Sequence, residues 1–264
     1  MADPRTPPHA LVLDMEGVLH VDWAALAGSP EAVQRFAAAG LEIAVLTNTT
    51  GRTRAEIAGR LAGLGMPVPA ERIVTSASAT AEHLRNAHPP PRVHALAEPG
   101  VLEEFAGLDL VDRPADADTI VLGGPDGRWT YAALNDVFAA LMHGAALVAM
   151  QRNRWWTTRA GPALDAGMFV AGLEYAAGVE ATVIGKPSPA IFATACALAG
   201  SDPADAMMVG DDLESDLRPA AELGMQTCLV RTGKGETFTP AAGEVDLHVD
   251  DLAAVADALG LPPA

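Results

Sequence analysis

The sequence has little positive charge. Its 264 residues carry 17 Lys and Arg against 34 Asp and Glu, a formal net charge of −17. Such a chain repels polyanions, which argues against nucleic-acid partners and leaves room for a cation at a functional site. Cysteine is equally scarce: there are only two, Cys196 and Cys228. Both lie in apolar contexts without metal-ligand spacing, which excludes a disulfide framework and suits reduced core residues of a cytoplasmic protein. No apolar run approaches the roughly 18 residues of a membrane span, and the polar, proline-rich start from Met1 to Pro8 has no apolar signal segment.

Half of the residues are hydrophobic, enough for one large core or two modest ones. The apolar run Ala10–Leu13 reads as a buried strand that stops at Asp14, with Glu16 and Gly17 directly behind it. Ser29, as N-cap before Pro30, predicts a helix ending at Gly40. Leu41–Leu46 reads as a second strand, running into Thr47 and Asn48. Thr53 and Glu56 have capping-box spacing and open a second helix. A third strand over 72–75 and a helix capped by Ser76 complete a βαβαβα alternation, which requires a parallel sheet covered on both faces.

Three prolines, Pro89 to Pro91, interrupt this pattern. A second αβ segment follows, with strands over 92–97, 118–122 and 146–150 and a helix over 130–143 whose Leu134, Val137, Phe138, Leu141 and Met142 are expected to share a face. The stretch 152–159 gathers three arginines and two tryptophans. It can grip an anionic substrate or form a packed interface edge, and the enrichment of Trp and Arg in interfaces favours the latter. From Ala181 the first pattern resumes: Gly185-Lys186-Pro187 leads into a helix, and the strand 206–210 runs into Asp211, Asp212 and, four residues on, Asp216. The predicted organisation is therefore one Rossmann-like α/β domain, residues 1–81 and 178–264, interrupted by an inserted α/β domain over 82–177.

Asp14, Thr47 and Asp211 close strands, and parallel strands in one sheet bring their carboxyl ends to one edge; Lys186 sits at a loop-to-helix junction that can join them there. Clustered carboxylates repel unless a cation holds them. With no His or Cys nearby, they are hard oxygen ligands suited to Mg²⁺. A carboxylate can also attack phosphorus, and a hydroxyl, backbone N–H groups and an ammonium stabilise a transferring phosphoryl group.

Asp14-Met-Glu-Gly-Val-Leu, Leu46-Thr-Asn-Thr-Thr, Gly185-Lys-Pro and Val209-Gly-Asp-Asp-x-x-x-Asp together resemble the four ordered motifs of the haloacid dehalogenase superfamily. The insert after the second motif looks like the large α/β cap of the NagD and p-nitrophenylphosphatase type. The run Gly172–Ala176 ahead of Gly185 is similar to phospholysine phosphohistidine inorganic pyrophosphate phosphatase-like proteins. The resemblance implies a Mg²⁺-dependent phosphatase acting on a small phosphorylated metabolite through an aspartyl-phosphate. Asp14 would be the nucleophile and a metal ligand. Glu16 would give its backbone carbonyl to the metal and its side chain to acid–base work. Thr47, Asn48 and Lys186 would bind phosphate. Asp211 would complete the metal site, with Asp212 and Asp216 holding water ligands or orienting Lys186. Arg152 and Asn153 are candidate cap contacts to substrate, and the cap is a candidate dimer surface.

One position departs from the pattern. Active members normally carry aspartate where this chain has Glu16, which keeps a carboxylate of similar pKa but reaches one methylene further. Two expectations follow: a phosphatase slow on generic substrates, or a catalytically weak binding protein. His20, close behind, is a second candidate proton donor.

Overall fold

The computed structural model describes residues 7–158 and 161–263, without the side chains of 156–162. The chain forms two compact units. One comprises residues 1–47, 54–74 and 186–264, the other 48–53 and 75–185. The boundaries expected near 82 and 177 both fall inside the second unit.

The first unit is built on a six-stranded sheet. Its order is Leu247–Val249, Gln226–Val230, Ala206–Gly210, Ala10–Asp14, Glu42–Thr47, Ile73–Thr75. Ala10–Asp14 pairs in parallel with Ala206–Gly210 on one side and Glu42–Thr47 on the other. The chain order reverses around this strand, which makes its carboxyl end the switch point where open α/β sheets bind ligands. Every residue of Ala10–Asp14 is buried, as a strand covered on both faces requires. Leu11, Leu13, Val45, Met207 and Val209 pack with Phe36, Ile57, Leu61 and Val255 from the helices in one hydrophobic cluster. Buried Arg35 ties the last helix, Leu252–Ala258, to the first by bonding Asp257 Oδ1 at 2.7 Å and the Pro262 carbonyl at 2.9 Å.

The second unit has its own parallel five-stranded sheet, ordered Thr182–Val183, Ala146–Ala149, Thr119–Leu122, Arg92–Leu96, Asp109–Leu110. Ile120, Leu122, Val137, Leu141, Leu147, Val170 and Leu173 form its core. Trp155–Thr158 and Gly161–Leu164 pair as an antiparallel hairpin, so much of the Arg/Trp stretch is strand; Arg159 lies outside the described residues. Both the alternation of strands and helices and the α/β class agree with the sequence pattern. Among the described residues no helix is long and apolar enough to cross a membrane.

Two helix starts are displaced by one residue. Gly28, at φ 78°, caps Ser29–Ala38, and Ser29 Oγ instead donates to the Val18 carbonyl at 3.0 Å. Thr75 rather than Ser76 caps Ser76–Arg85, in a reciprocal pair with Ser78. A small feature without a periodic signal is the hairpin that pairs His20–Val21 with Ala24–Ala25 immediately after the first strand. Its turn residues Asp22 and Trp23 stand at φ 48° and 59°.

Candidate active site

Four of the predicted residues meet at the carboxyl edge of the first unit's sheet. Asp14 ends its strand, Asp211 follows Ala206–Gly210, Asp216 lies in the π-type turn Leu213–Leu217, and Lys186 precedes the helix Pro189–Leu198. All four are buried. The Lys186 ammonium donates to Asp14 Oδ1 at 2.6 Å and to Asp216 Oδ1 at 2.7 Å. Asp14, Asp211 and Asp216 each present a carboxylate oxygen within 4.8 Å of the others.

Burial penalises charge here. Burial, together with the negative charges of Asp14 and Asp216, pushes the Asp211 carboxyl up to about 8. Burial also lifts Asp216, to about 6, against the pull of Lys186. For Lys186 burial works to lower the pKa, but the paired charges of Asp14 and Asp216 outweigh it and hold the ammonium above its ordinary value. Were all three carboxylates ionised, one ammonium would leave two negative charges uncompensated in a buried place, which is why Asp211 and Asp216 hold their protons to higher pH. The donors are oxygens only, gathered within coordination reach. A hard divalent cation fits this set, and Mg²⁺ fits it better than zinc.

Asp216 is wholly engaged. One oxygen takes Lys186, and the other lies 3.3 Å from the Asp212 N–H. Asp216 Oδ1 is thus bonded directly to the Lys186 ammonium. Asp212 points away from the cluster centre. Its Oδ1 accepts from the N–H groups of Glu214 and Ser215 at 2.9 and 3.2 Å, capping the turn, and its Oδ2 accepts from Lys234 at 2.6 Å. Burial opposes its charge, but Lys234 and these N–H groups keep the Asp212 carboxyl below its usual range.

Lys234 is absent from the sequence-derived set. Its backbone N–H donates to Asp211 Oδ2 at 2.8 Å while its ammonium holds Asp212. The neighbouring Thr232 hydroxyl donates to the Gly17 carbonyl, so this loop clasps the first and last motifs together. Close approach is possible only because two residues lack side chains. A Cβ on Gly17 or on Gly233 would stand 2.1 Å from Asp211 Oδ2, and both residues have positive φ, 89° and 57°; only glycine combines that conformation with that contact. The chain has fifteen arginines but two lysines, and both lysines contact this cluster.

Thr47, buried, closes the strand Glu42–Thr47 at the same sheet edge. Asn48 belongs to the second unit, where its Oδ1 accepts from Ser76 Oγ at 3.1 Å. Arg152 and Asn153 lie there too. The Arg152 guanidinium bonds Glu174 at 2.5 Å, and the Asn153 carbonyl accepts from Gly167 N–H at 2.9 Å. Glu16 is half-exposed, and its carboxylate folds back onto the hairpin behind it: Oε1 accepts from the Asp22 N–H at 2.9 Å, and Oε2 lies 3.1 Å from His20 Nδ1.

Known proteins resemble this chain in sequence and in fold. The family profile described as haloacid dehalogenase-like hydrolase matches residues 11–111, and a related HAD-hydrolase-like profile matches 183–255. Human haloacid dehalogenase-like hydrolase domain-containing protein 2 is 34% identical over 225 residues, 85% of each chain. Human phospholysine phosphohistidine inorganic pyrophosphate phosphatase is 33% identical over 257 residues, 94% of this chain and 93% of the relative. Among solved structures, the p-nitrophenyl phosphatase from Archaeoglobus fulgidus superposes with a TM-score of 0.87 at 25% identity, covering 96% of this chain and all of the other.

Proposed function

The chain belongs to the haloacid dehalogenase-like hydrolases and is a phosphatase of that family, and we propose that it hydrolyses a small phosphorylated metabolite with Mg²⁺, through an aspartyl-phosphate on Asp14. The observation that carries this reading is the buried set Asp14, Lys186, Asp211 and Asp216 at the switch point of the sheet. Asp14, Asp211 and the Glu16 carbonyl would hold the cation, which supplies positive charge against the phosphoryl oxygens.

The protein's own groups divide the remaining work. Lys186 fixes the Asp14 carboxylate and adds a second positive charge where phosphoryl oxygens gather. One Asp14 oxygen bonds to phosphorus as the bond from phosphorus to the leaving oxygen breaks, and Glu16 delivers a proton to that oxygen. Water then attacks the phosphorus of the aspartyl-phosphate. Glu16 recovers a proton from the water, inorganic phosphate leaves and the Asp14 carboxylate is restored. Thr47 and the backbone after it offer donors to the phosphoryl oxygens, and Asn48 adds a side-chain amide. In this reading the second unit is the cap, which selects the substrate and shields the reacting phosphate from water. Arg152, already bonded to Glu174, and Asn153 are its candidate substrate contacts.

The test is Mg²⁺-dependent release of p-nitrophenol from p-nitrophenyl phosphate. Asp14→Asn keeps the side chain's size and removes the nucleophile, with an expected loss of at least about 10³-fold in kcat. Hydrolysis that survives Asp14→Asn, or that proceeds equally in EDTA, overturns the reading.

A further inference from the structure

The hairpin behind the first strand is more elaborate than a connection requires. His20, in the hairpin's own first strand, is 1% exposed. Its ring stacks on Trp23 with centroids 4.4 Å apart and planes 24° from parallel. The Arg60 guanidinium in turn lies 4.8 Å from the centroid of the Trp23 ring. Among the described residues neither ring nitrogen of His20 makes a well-aligned hydrogen bond. The polar atom close to Nδ1 is Glu16 Oε2, at 3.1 Å and off the ideal axis. A buried imidazole without well-made hydrogen bonds costs free energy, so its presence calls for a reason beyond packing.

The backbone supplies a second observation. Asp22 and Trp23, neither of them glycine, are both left-handed. Each such residue costs on the order of 1 kcal/mol, and strain of this kind collects at functional sites. The turn so formed does two things. It aims the Asp22 N–H at Glu16 Oε1, 2.9 Å away, and it lays Trp23 flat against His20. The Gly17 N–H donates to the His20 carbonyl at 2.8 Å, and the Leu19 N–H to the Met15 carbonyl at 3.0 Å, which closes the loop around the same residue. The Asp22 N–H and the His20 ring thus both meet the Glu16 carboxylate.

We propose that His20 is a positioning residue for Glu16. The imidazole, clamped by Trp23, fixes one oxygen of the longer carboxylate while the Asp22 N–H fixes the other. Glutamate carries one more rotatable bond than the aspartate usual at this position. The His20 contact removes that freedom and sets where the proton-transferring oxygen stands. This proposal rests on the phosphatase reading for the role of Glu16, but the contact itself can be tested without turnover.

The experiment is a double-mutant cycle with a spectroscopic arm. His20→Phe keeps a flat ring on Trp23 and removes both nitrogens. In the Glu16 background it lowers kcat for p-nitrophenyl phosphate about tenfold, the scale of a displacement under 1 Å, with KM within twofold. In the Glu16→Asp background, where the shorter side chain falls short of the imidazole, His20→Phe changes kcat by less than twofold. An equal loss in both backgrounds, or none in the first, overturns the proposal and leaves the phosphatase reading standing. In the second arm, the ring ¹⁵N resonances of His20, assigned by their loss in His20→Phe, move on Glu16→Ala. Unmoved resonances overturn the proposal even in a protein with no turnover, an outcome that would count separately against the phosphatase reading.

Discussion

Replacing Lys186 with methionine keeps most of the side chain's length and removes its charge. The ammonium is the cation bonded directly to Asp14 and Asp216 in a group where all the carboxylates are buried. Deleting one partner of a buried ion pair costs ~3–5 kcal/mol, because the other partner stays buried and uncompensated. For a chain of this size each kcal/mol is worth roughly 2–4 °C, so the melting temperature in EDTA should fall by roughly 6–20 °C. The loss has a predictable pH dependence. Asp211 and Asp216 stand above their ordinary values in the folded protein, and without the pull of Lys186 the Asp216 carboxyl is raised further. A carboxyl whose folded pKa exceeds its unfolded pKa contributes stability at low pH that disappears as pH rises through the folded value. The deficit of Lys186→Met should therefore widen from about pH 5 to about pH 9 as these groups ionise. Mg²⁺ should narrow it, since a cation that binds only the folded state stabilises by mass action, and the variant's site carries one more net negative charge. Differential scanning fluorimetry across pH, with EDTA or Mg²⁺, reads all three effects. A melting temperature unchanged in EDTA, or a deficit that shrinks as pH rises, would refute the reasoning.

Two further outcomes follow from the packing. Gly233→Ala puts a methyl 2.1 Å from Asp211 Oδ2 at a residue with φ 57°; Asp211 must move, and titration calorimetry should show Mg²⁺ affinity reduced about 10–100-fold, the usual cost of disturbing what orients a metal ligand. Cys196 and Cys228 are buried, and burial raises both thiols, Cys196 to about 11; neither should react with iodoacetamide in the native state, and both should react in denaturant, as counted by mass spectrometry.

The sheet edge was legible in sequence because each motif closes an apolar run. Asp14 after Ala10–Leu13 and Asp211 after Ala206–Gly210 announce strand ends, and parallel topology does the gathering. Lys186 was legible by its place between glycine and proline ahead of a helix. Lys234 was not, because it sits in a glycine-containing loop with no periodicity, and what it touches depends on how closely Gly17 and Gly233 let two loops approach. The direction of the Glu16 side chain was hidden for a related reason: the hairpin that engages it is two strands of two residues each with a left-handed turn, too short for alternation to show. Helix caps were misplaced by one residue where two adjacent residues could each cap, as at Thr75 and Ser76. The three prolines at 89–91 lie within the second unit and not at its boundaries near 74/75 and 185/186.

The distribution of lysine has a practical consequence. Lys186 is 5% exposed and Lys234 is 68% exposed, so the chain offers amine-directed reagents a single accessible side chain. A succinimidyl dye, an aldehyde fixative or a carboxyl-activated sensor surface would attach beside Asp212 and loosen its hold. Labelling strategies for this protein are safer aimed elsewhere, for instance at a cysteine introduced on an exposed helix.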